Sequence, residues 1–292
     1  MVKSPQFRLH FIVFLWGFTA ILGKLISVDA VVLVFYRTLF SAGFLYFFIR
    51  SIKKQSLRIS RRNLWQLLGT GGIIGFHWLA FFYSIKIANV SIALACLSSA
   101  TLFASLLEPL FFKRKIDPLE LIMGVVIVIC ISLIFNAQFE YKWGIIFGII
   151  CAFLSALFTV LNGKMFGKTS SENIIFYEIL GGWLVVALFS LFSGDIGTLA
   201  QVSTRDFILI VVLASLFTAF PMLESIRLME FVSPFTLALT VNLEPVYGII
   251  IAFFIFGDSE HMSSIFYIAS FVMILAIVIN GVVKAKRKKN TA

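Results

Sequence analysis

The sequence predicts an all-α integral membrane protein with ten transmembrane helices arranged as two inverted five-helix repeats. Three observations carry that expectation. The chain of 292 residues is 60% hydrophobic and only 13% charged, with a mean hydropathy of +1.03, whereas a soluble domain is about 25% charged. Apolar runs recur along the whole length, and at about 20 residues per span there is room for ten. Finally, the two halves match one another at an offset of 140 to 142 residues. Such a composition excludes an ordinary cytosolic enzyme, a disordered chain and a collagen-like repeat.

Apolar runs bounded by charge or turn residues place the spans, in order, at about 9–27, 30–49, 63–85, 89–112, 118–136, 143–162, 172–193, 206–227, 232–256 and 263–283. Cations punctuate them: Arg50, Lys53, Lys54, Arg58, Arg61 and Arg62 between the second and third spans, Lys113, Arg114 and Lys115 after the fourth, and Lys284, Lys286, Arg287, Lys288 and Lys289 after the last. Trp65 and Trp143 stand at span ends as interface anchors. Gly71-xxx-Gly75 and Gly144-xxx-Gly148 allow neighbouring helices to approach closely.

The net charge of +10 and the pI near 9.7 suggest phosphate binding only until the positions of the cations are considered. With both termini on the cytoplasmic side, 19 of the 24 lysines and arginines face inward, and four (Lys24, Lys86, Lys142 and Arg205) face outward. Arg37 falls within a span. That bias is the positive-inside pattern, and it points to lipid headgroups in place of nucleic acid. Lys3 and Arg8 precede an apolar stretch ending at Val28-Asp29-Ala30, which imitates a signal-peptidase site. The repeat makes this stretch the counterpart of an internal helix, so it is expected to be retained. Cys96, Cys130 and Cys151 lie singly in apolar runs, with no zinc or disulfide pattern.

The repeat is read from short matches in order. Phe18-Thr19 and Gly23-Lys24 recur as Phe158-Thr159 and Gly163-Lys164, and Phe35-Tyr36-Arg37 recurs as Phe176-Tyr177-Glu178. Ser84-Ile85-Lys86 recurs as Ser225-Ile226-Arg227, and Val90-Ser91 as Val232-Ser233. Residues 1–138 and 139–292 then form the two units. Five spans in each half is an odd number, so the second unit enters the membrane from the opposite side, as in many secondary transporters.

Two stretches, FFYSIKIANVSIALACLSSATLFASLLEPLFFKRKIDP from Phe81 to Pro118 and the later MEFVSPFTLALTVNLEPVYGIIIAFFIFGDSEHMS, resemble the fourth- and ninth-helix segments of EamA-type carriers of the drug/metabolite transporter superfamily. The resemblance covers both halves. Glu244-Pro245 matches, and Gly257-Asp258 stands where Gly-Glu is usual. The first half departs from the pattern: Glu108-Pro109 lies six residues beyond the register of Leu102 and Phe103, and Lys115-Ile116 replaces the ending. The resemblance implies efflux of metabolites, amino acids or drug-like compounds across a bacterial inner membrane.

An ionisable side chain at bilayer depth costs about 2.5–3.5 kcal/mol on insertion scales, so each one is a functional candidate. Glu244 is expected near the midplane of its span, beside a proline that frees backbone carbonyls, with Asn242 and Tyr247 at the same level. Arg37 and Glu178 occupy matching repeat positions with opposite charge, which suits a zwitterionic solute; snorkelling or packing is the other reading. His77 offers a proton relay or a bond to another helix. Trp16, Trp78 and Trp183 lie within spans and either line a cavity or pack. Glu108 is expected to pair with Lys113 or Arg114, and Glu224 with Arg227 three residues on.

The leading expectation is a secondary carrier of a small organic solute, without cofactor or metal, whose partners are substrate, lipid and a coupling proton or exchanged solute. An uptake permease or exchanger of anionic metabolites is the alternative, if Lys24, Lys86 and Arg37 converge on one cavity. A membrane-embedded enzyme requires a nucleophile–base pair or metal cluster at depth. A purely structural protein requires no central cavity.

Overall fold

The computed structural model describes residues 4–113, 115–165, 167–193, 196–228, 230–232 and 240–290. Lys3, Arg114, Ser233 and the side chains of Lys284, Arg287, Lys288 and Lys289, all named above, lie outside the described residues. Among the described residues the chain is helical throughout, without a strand. The helices are α1 (Pro5–Leu25), α2 (Ala30–Phe47), α3 (Arg61–Ile87), α4 (Val90–Leu97), α5 (Ala100–Phe112), α6 (Pro118–Ala137), α7 (Lys142–Met165), α8 (Ser171–Ser193), α9 (Thr204–Ala214), α10 (Phe220–Leu228), α11 (Glu244–Phe256) and α12 (Ser264–Asn290).

Short polar residues between the apolar runs start these helices by satisfying backbone N–H groups that have no partner within the helix. Ser60 accepts from Asn63 N at 3.2 Å, Asn89 from Ile92 N at 2.9 Å, Asp117 from Leu119 N at 2.9 Å and Ser203 from Asp206 N at 3.1 Å. Pro5 and Pro118 occupy first turns, where a missing N–H costs nothing.

Nine segments among the described residues are long and apolar enough to cross a membrane. They match nine of the expected runs, and the chain is a multi-pass membrane protein. The tenth expected run, 232–256, is described only from residue 240, because 233–239 lie outside the described residues. Two runs differ from continuous helices. The fourth breaks at Ser98 and Ser99 into α4 and α5, and the chain turns again at Asn242 and Leu243 before α11 begins. Periodicity alone does not show such breaks, because the apolar pattern continues through them.

Large apolar side chains face outward as well as inward: Phe192 is 89% exposed and Phe254 80%. In lipid this costs nothing, so helix contacts depend on close packing more than on hiding apolar surface. The central helix is α3, held between α7 and α8. A Cβ on Gly71 would run into the backbone of Glu178, and one on Gly75 would come within 3.0 Å of the Gly182 carbonyl. Gly144 and Gly148 likewise face Ala88 and Cys96. Both Gly-xxx-Gly pairs thus serve packing. Helices α6 and α12 pair with one another around Ile127, Cys130, Met273 and Ile277. Helix α11 lies against α1 and α4, where Gly248 leaves room for Leu94.

Candidate functional site

Arg37 on α2 is 2% exposed. Its Nε donates to Thr218 Oγ1 at 2.8 Å, and its guanidinium lies 4.1 Å over the ring of Trp78 on α3 and 5.3 Å from that of Phe82. Its Nη1 has no partner. Thr218 reaches this place because residues Ser215–Ala219 form a π-helical turn between α9 and α10. That turn shifts backbone bonds, and side chains complete them: Thr218 Oγ1 donates to Leu213 O at 2.7 Å, and Ser41 Oγ to Ala214 O at 2.8 Å. π-turns of this kind are frequent at functional sites.

Glu244 is the first residue of α11 and is half-buried. The expectation of a glutamate midway along a continuous helix is therefore revised, and so is the role of its proline. Pro245 sits in a first turn, where it leaves no carbonyl unmatched, while the carboxylate gains from the positive end of the helix dipole. Asn242, in the turn before it, accepts from Thr101 Oγ1 at 3.0 Å. Thr101 belongs to the first turn of α5, so the starts of two interrupted helices from the two halves of the chain meet through one hydrogen bond. Tyr247 packs edge-on to Phe14 at 5.8 Å, and Trp16 shares its cluster with Leu9, Ile12 and Leu228.

His77 bonds α7 through Nδ1 to Cys151 O at 2.9 Å, with Cys151 Sγ 3.2 Å from the same nitrogen. A carbonyl only accepts, so Nδ1 carries its proton and has no lone pair to take one from the thiol. Among the described residues no three of His, Cys, Asp and Glu are placed to hold a metal.

Glu178 lies apart from this cluster. It is fully buried on α8, and its Oε2 accepts from Asn162 Nδ2 at 3.2 Å. Trp183, on the same helix, stands 6.0 Å from the Phe35 ring with its Nε1 unpartnered. The structure thus sets Arg37 over Trp78, next to His77 on α3, places Asn242 in the turn before Glu244, puts Trp16 and Tyr247 in one cluster, and sets Glu178 and Trp183 on α8. Glu224 and Arg227 do not pair with each other. Glu224 pairs with Arg8, and Arg227 with Glu172 at 2.7 Å, because tertiary packing brings closer partners than the next helical turn. Lys24 and Lys86 do not join Arg37. Lys24 bonds Glu260 at 2.7 Å, and Lys86 bonds the carbonyl of Ile26.

Sequence reasoning missed Thr218, Thr101, Asn162 and Glu260. One signal was available: Thr218 stands 141 residues after His77, the same offset that relates Arg37 to Glu178.

Comparison with known proteins bears on the whole chain. The model of the EamA-like transporter family matches residues 9–136 and 142–282. An uncharacterized transporter, YxxF of Bacillus subtilis (strain 168), is 26% identical over 225 residues, covering 75% of this chain and 71% of that protein. A solved crystal structure superposes with a TM-score of 0.62 at 15% identity, covering 94% of this chain and 96% of the other; that likeness concerns the fold. With a family model spanning both halves of an all-helical, multi-pass chain, this protein belongs to the EamA-like transporter family.

Proposed function

We propose that the protein is a secondary transporter that exports a small organic metabolite, an amino acid or drug-like solute, from a bacterial cytoplasm by alternating access. The unit is ten helices in two inverted five-helix repeats, 1–138 and 139–292, in the inner membrane with both termini cytoplasmic. The observation that carries the reading is the meeting of the two interrupted helices at Thr101 and Asn242, 3.0 Å apart, with Glu244 two residues beyond Asn242. Broken helices whose starts face a central site are how transporters bind polar solutes within the bilayer.

Crosswise contacts support the two-repeat reading. The ammonium of Lys24 lies 4.4 Å from the ring of Phe256, and that of Lys164 lies 5.7 Å from the ring of Phe112. Lys24 and Lys164 are repeat counterparts, and Lys164 lies closer still, 4.9 Å, to the ring of Phe111. Each half thus places its lysine over a phenylalanine of the other.

In this reading Arg37, with its free Nη1, takes the anionic end of the solute, and Glu244 takes the cationic end. Trp78, Trp16, Tyr247, Asn242 and His77 shape the space between, and Glu178 and Trp183 serve coupling on α8. Lys24 and Lys86 are engaged elsewhere, which removes the convergent cations an anion exchanger needs. The test is reconstitution: flux of a panel of amino acids and organic cations into proteoliposomes, wild type against Glu244→Gln. Unchanged flux in the variant removes Glu244 from the site. No flux of any solute in the wild type overturns the reading.

A further inference from the structure

Glu178 and Asn162 leave two oxygens unanswered. The carboxyl is fully buried and accepts one hydrogen bond, from Asn162 Nδ2 to Oε2 at 3.2 Å. Glu178 Oε1 and Asn162 Oδ1 are both buried without a partner. A buried polar atom left unpaired costs about 1–3 kcal/mol, and more when charged. Two of them on one touching pair require a reason.

Among the described residues no cation supplies it. Helices α2, α3 and α10 pack on α8, and α7 carries Asn162. Of their charged and titratable groups, Arg37 is bound to Thr218 and Trp78, His77 to Cys151, and Lys86 to Ile26. Glu224 pairs with Arg8, and Arg227 with Glu172 of α8 itself. Lys164 lies over Phe111 and Phe112, Lys142 over Phe139, and Arg61 and Arg62 are exposed at the start of α3. Calcium or magnesium does not fit either, since each seeks about six oxygens or more.

One proton answers both oxygens. A carboxylic acid and a primary amide form a two-limbed ring, in which the amide N–H donates to one carboxyl oxygen and the carboxyl O–H donates to the amide oxygen. The first limb is present at 3.2 Å. A proton on Oε1 supplies the donor that the second limb lacks.

We infer that Glu178 and Asn162 form the transporter's proton-coupling site. The inference rests on the transporter reading. In the loaded state the Oε1–H group donates to Asn162 Oδ1. When the helices rearrange, the O–H bond breaks, the proton passes to water and the bonding electrons stay on Oε1. The repeat sharpens the assignment: at the matching position the first half carries Arg37, a charge that does not switch, whereas the second half carries a carboxyl that does.

Two measurements test it. Infrared spectra of the purified protein in bilayers should show the carbonyl stretch of a buried, protonated carboxyl that is lost in Glu178→Gln and shifted in Asn162→Leu. An identical band in Glu178→Gln overturns the site. In proteoliposomes containing a pH dye and offered the twenty amino acids, solute flux should carry protons, and protons moved per solute should fall to zero in Glu178→Gln. Wild-type flux without proton movement overturns coupling and leaves the transporter reading standing. Absence of flux counts against the transporter reading, while the infrared band still decides whether the site holds a proton.

Discussion

The ammonium of Lys24, at the end of α1, lies 2.7 Å from the carboxylate of Glu260, a residue 236 positions away that is 1% exposed. The same carboxylate accepts from Val90 N at 3.1 Å, Ser91 N at 2.8 Å and Ser91 Oγ at 2.7 Å. One side chain therefore caps α4 and ties the first helix to the segment between α11 and α12. Beside it, Asp206 at the start of α9 accepts from Ser27 N at 2.9 Å and Ser27 Oγ at 2.5 Å. This end of the bundle is a clasp built from both halves.

Removing Glu260 should loosen that clasp. Glu260 is buried but the Lys24 side chain is 25% exposed, so deleting the carboxylate costs less than the ~3–5 kcal/mol of a fully buried pair, and a helix cap goes with it. Glu260→Ala is expected to lower the melting temperature of the detergent-solubilised protein strongly, and Glu260→Gln less. Equal melting of Glu260→Ala and wild type would show the clasp to be incidental.

Arg37 should not tolerate lysine. An ammonium cannot bond Thr218 and stack on Trp78 in the same posture. Arg37→Lys is expected to reduce transport efficiency at least about tenfold, equivalent to about 1.4 kcal/mol, with Thr218→Val showing a smaller loss near 1 kcal/mol. Initial rates in proteoliposomes read both effects, and wild-type rates in Arg37→Lys would contradict the assignment.

The two glycines of one helix should behave oppositely. Gly71 faces the backbone of Glu178, with the Glu178 Cα 2.9 Å from where a Cβ would sit, whereas Gly69 has nothing within 4 Å. Gly71→Ala is expected to prevent a monodisperse protein, because backbone cannot move aside. Gly69→Ala should be neutral or stabilising by up to about 1 kcal/mol, from helix propensity alone. Size-exclusion profiles and melting curves distinguish them.

Orientation is read with single cysteines, since the native Cys96, Cys130 and Cys151 are buried. Gln55→Cys and Gln201→Cys both place a thiol at an exposed loop position. A membrane-impermeant maleimide applied to intact cells should label Gln201→Cys at once, and Gln55→Cys only after permeabilisation. The reverse pattern would invert the proposed topology.

Nine of the membrane-crossing segments were legible in the sequence because lipid imposes a length and a composition that nothing else in the chain shares. The Gly-xxx-Gly contacts were legible for a related reason: only small residues permit such approach. Legibility ended at polar partners. Glu224 and Arg227 sit three apart on one helical face, yet each finds its ion pair on another helix. Arg37 and Glu178 occupy matching repeat positions, yet Arg37 bonds Thr218 and lies over Trp78, while Glu178 meets Asn162.

What the sequence by itself determined is the membrane setting and the order of the spans, because these follow from transfer free energies that act residue by residue. Which charges meet was decided by tertiary structure alone. Partner choice depends on two helix interruptions, at Ser98-Ser99 and Asn242-Leu243, and on the π-turn at Ser215–Ala219. Each shifts side chains by a fraction of a turn. Such shifts leave the hydropathy pattern unchanged, but hydrogen bonds and ion pairs, being short-ranged and directional, depend on them fully.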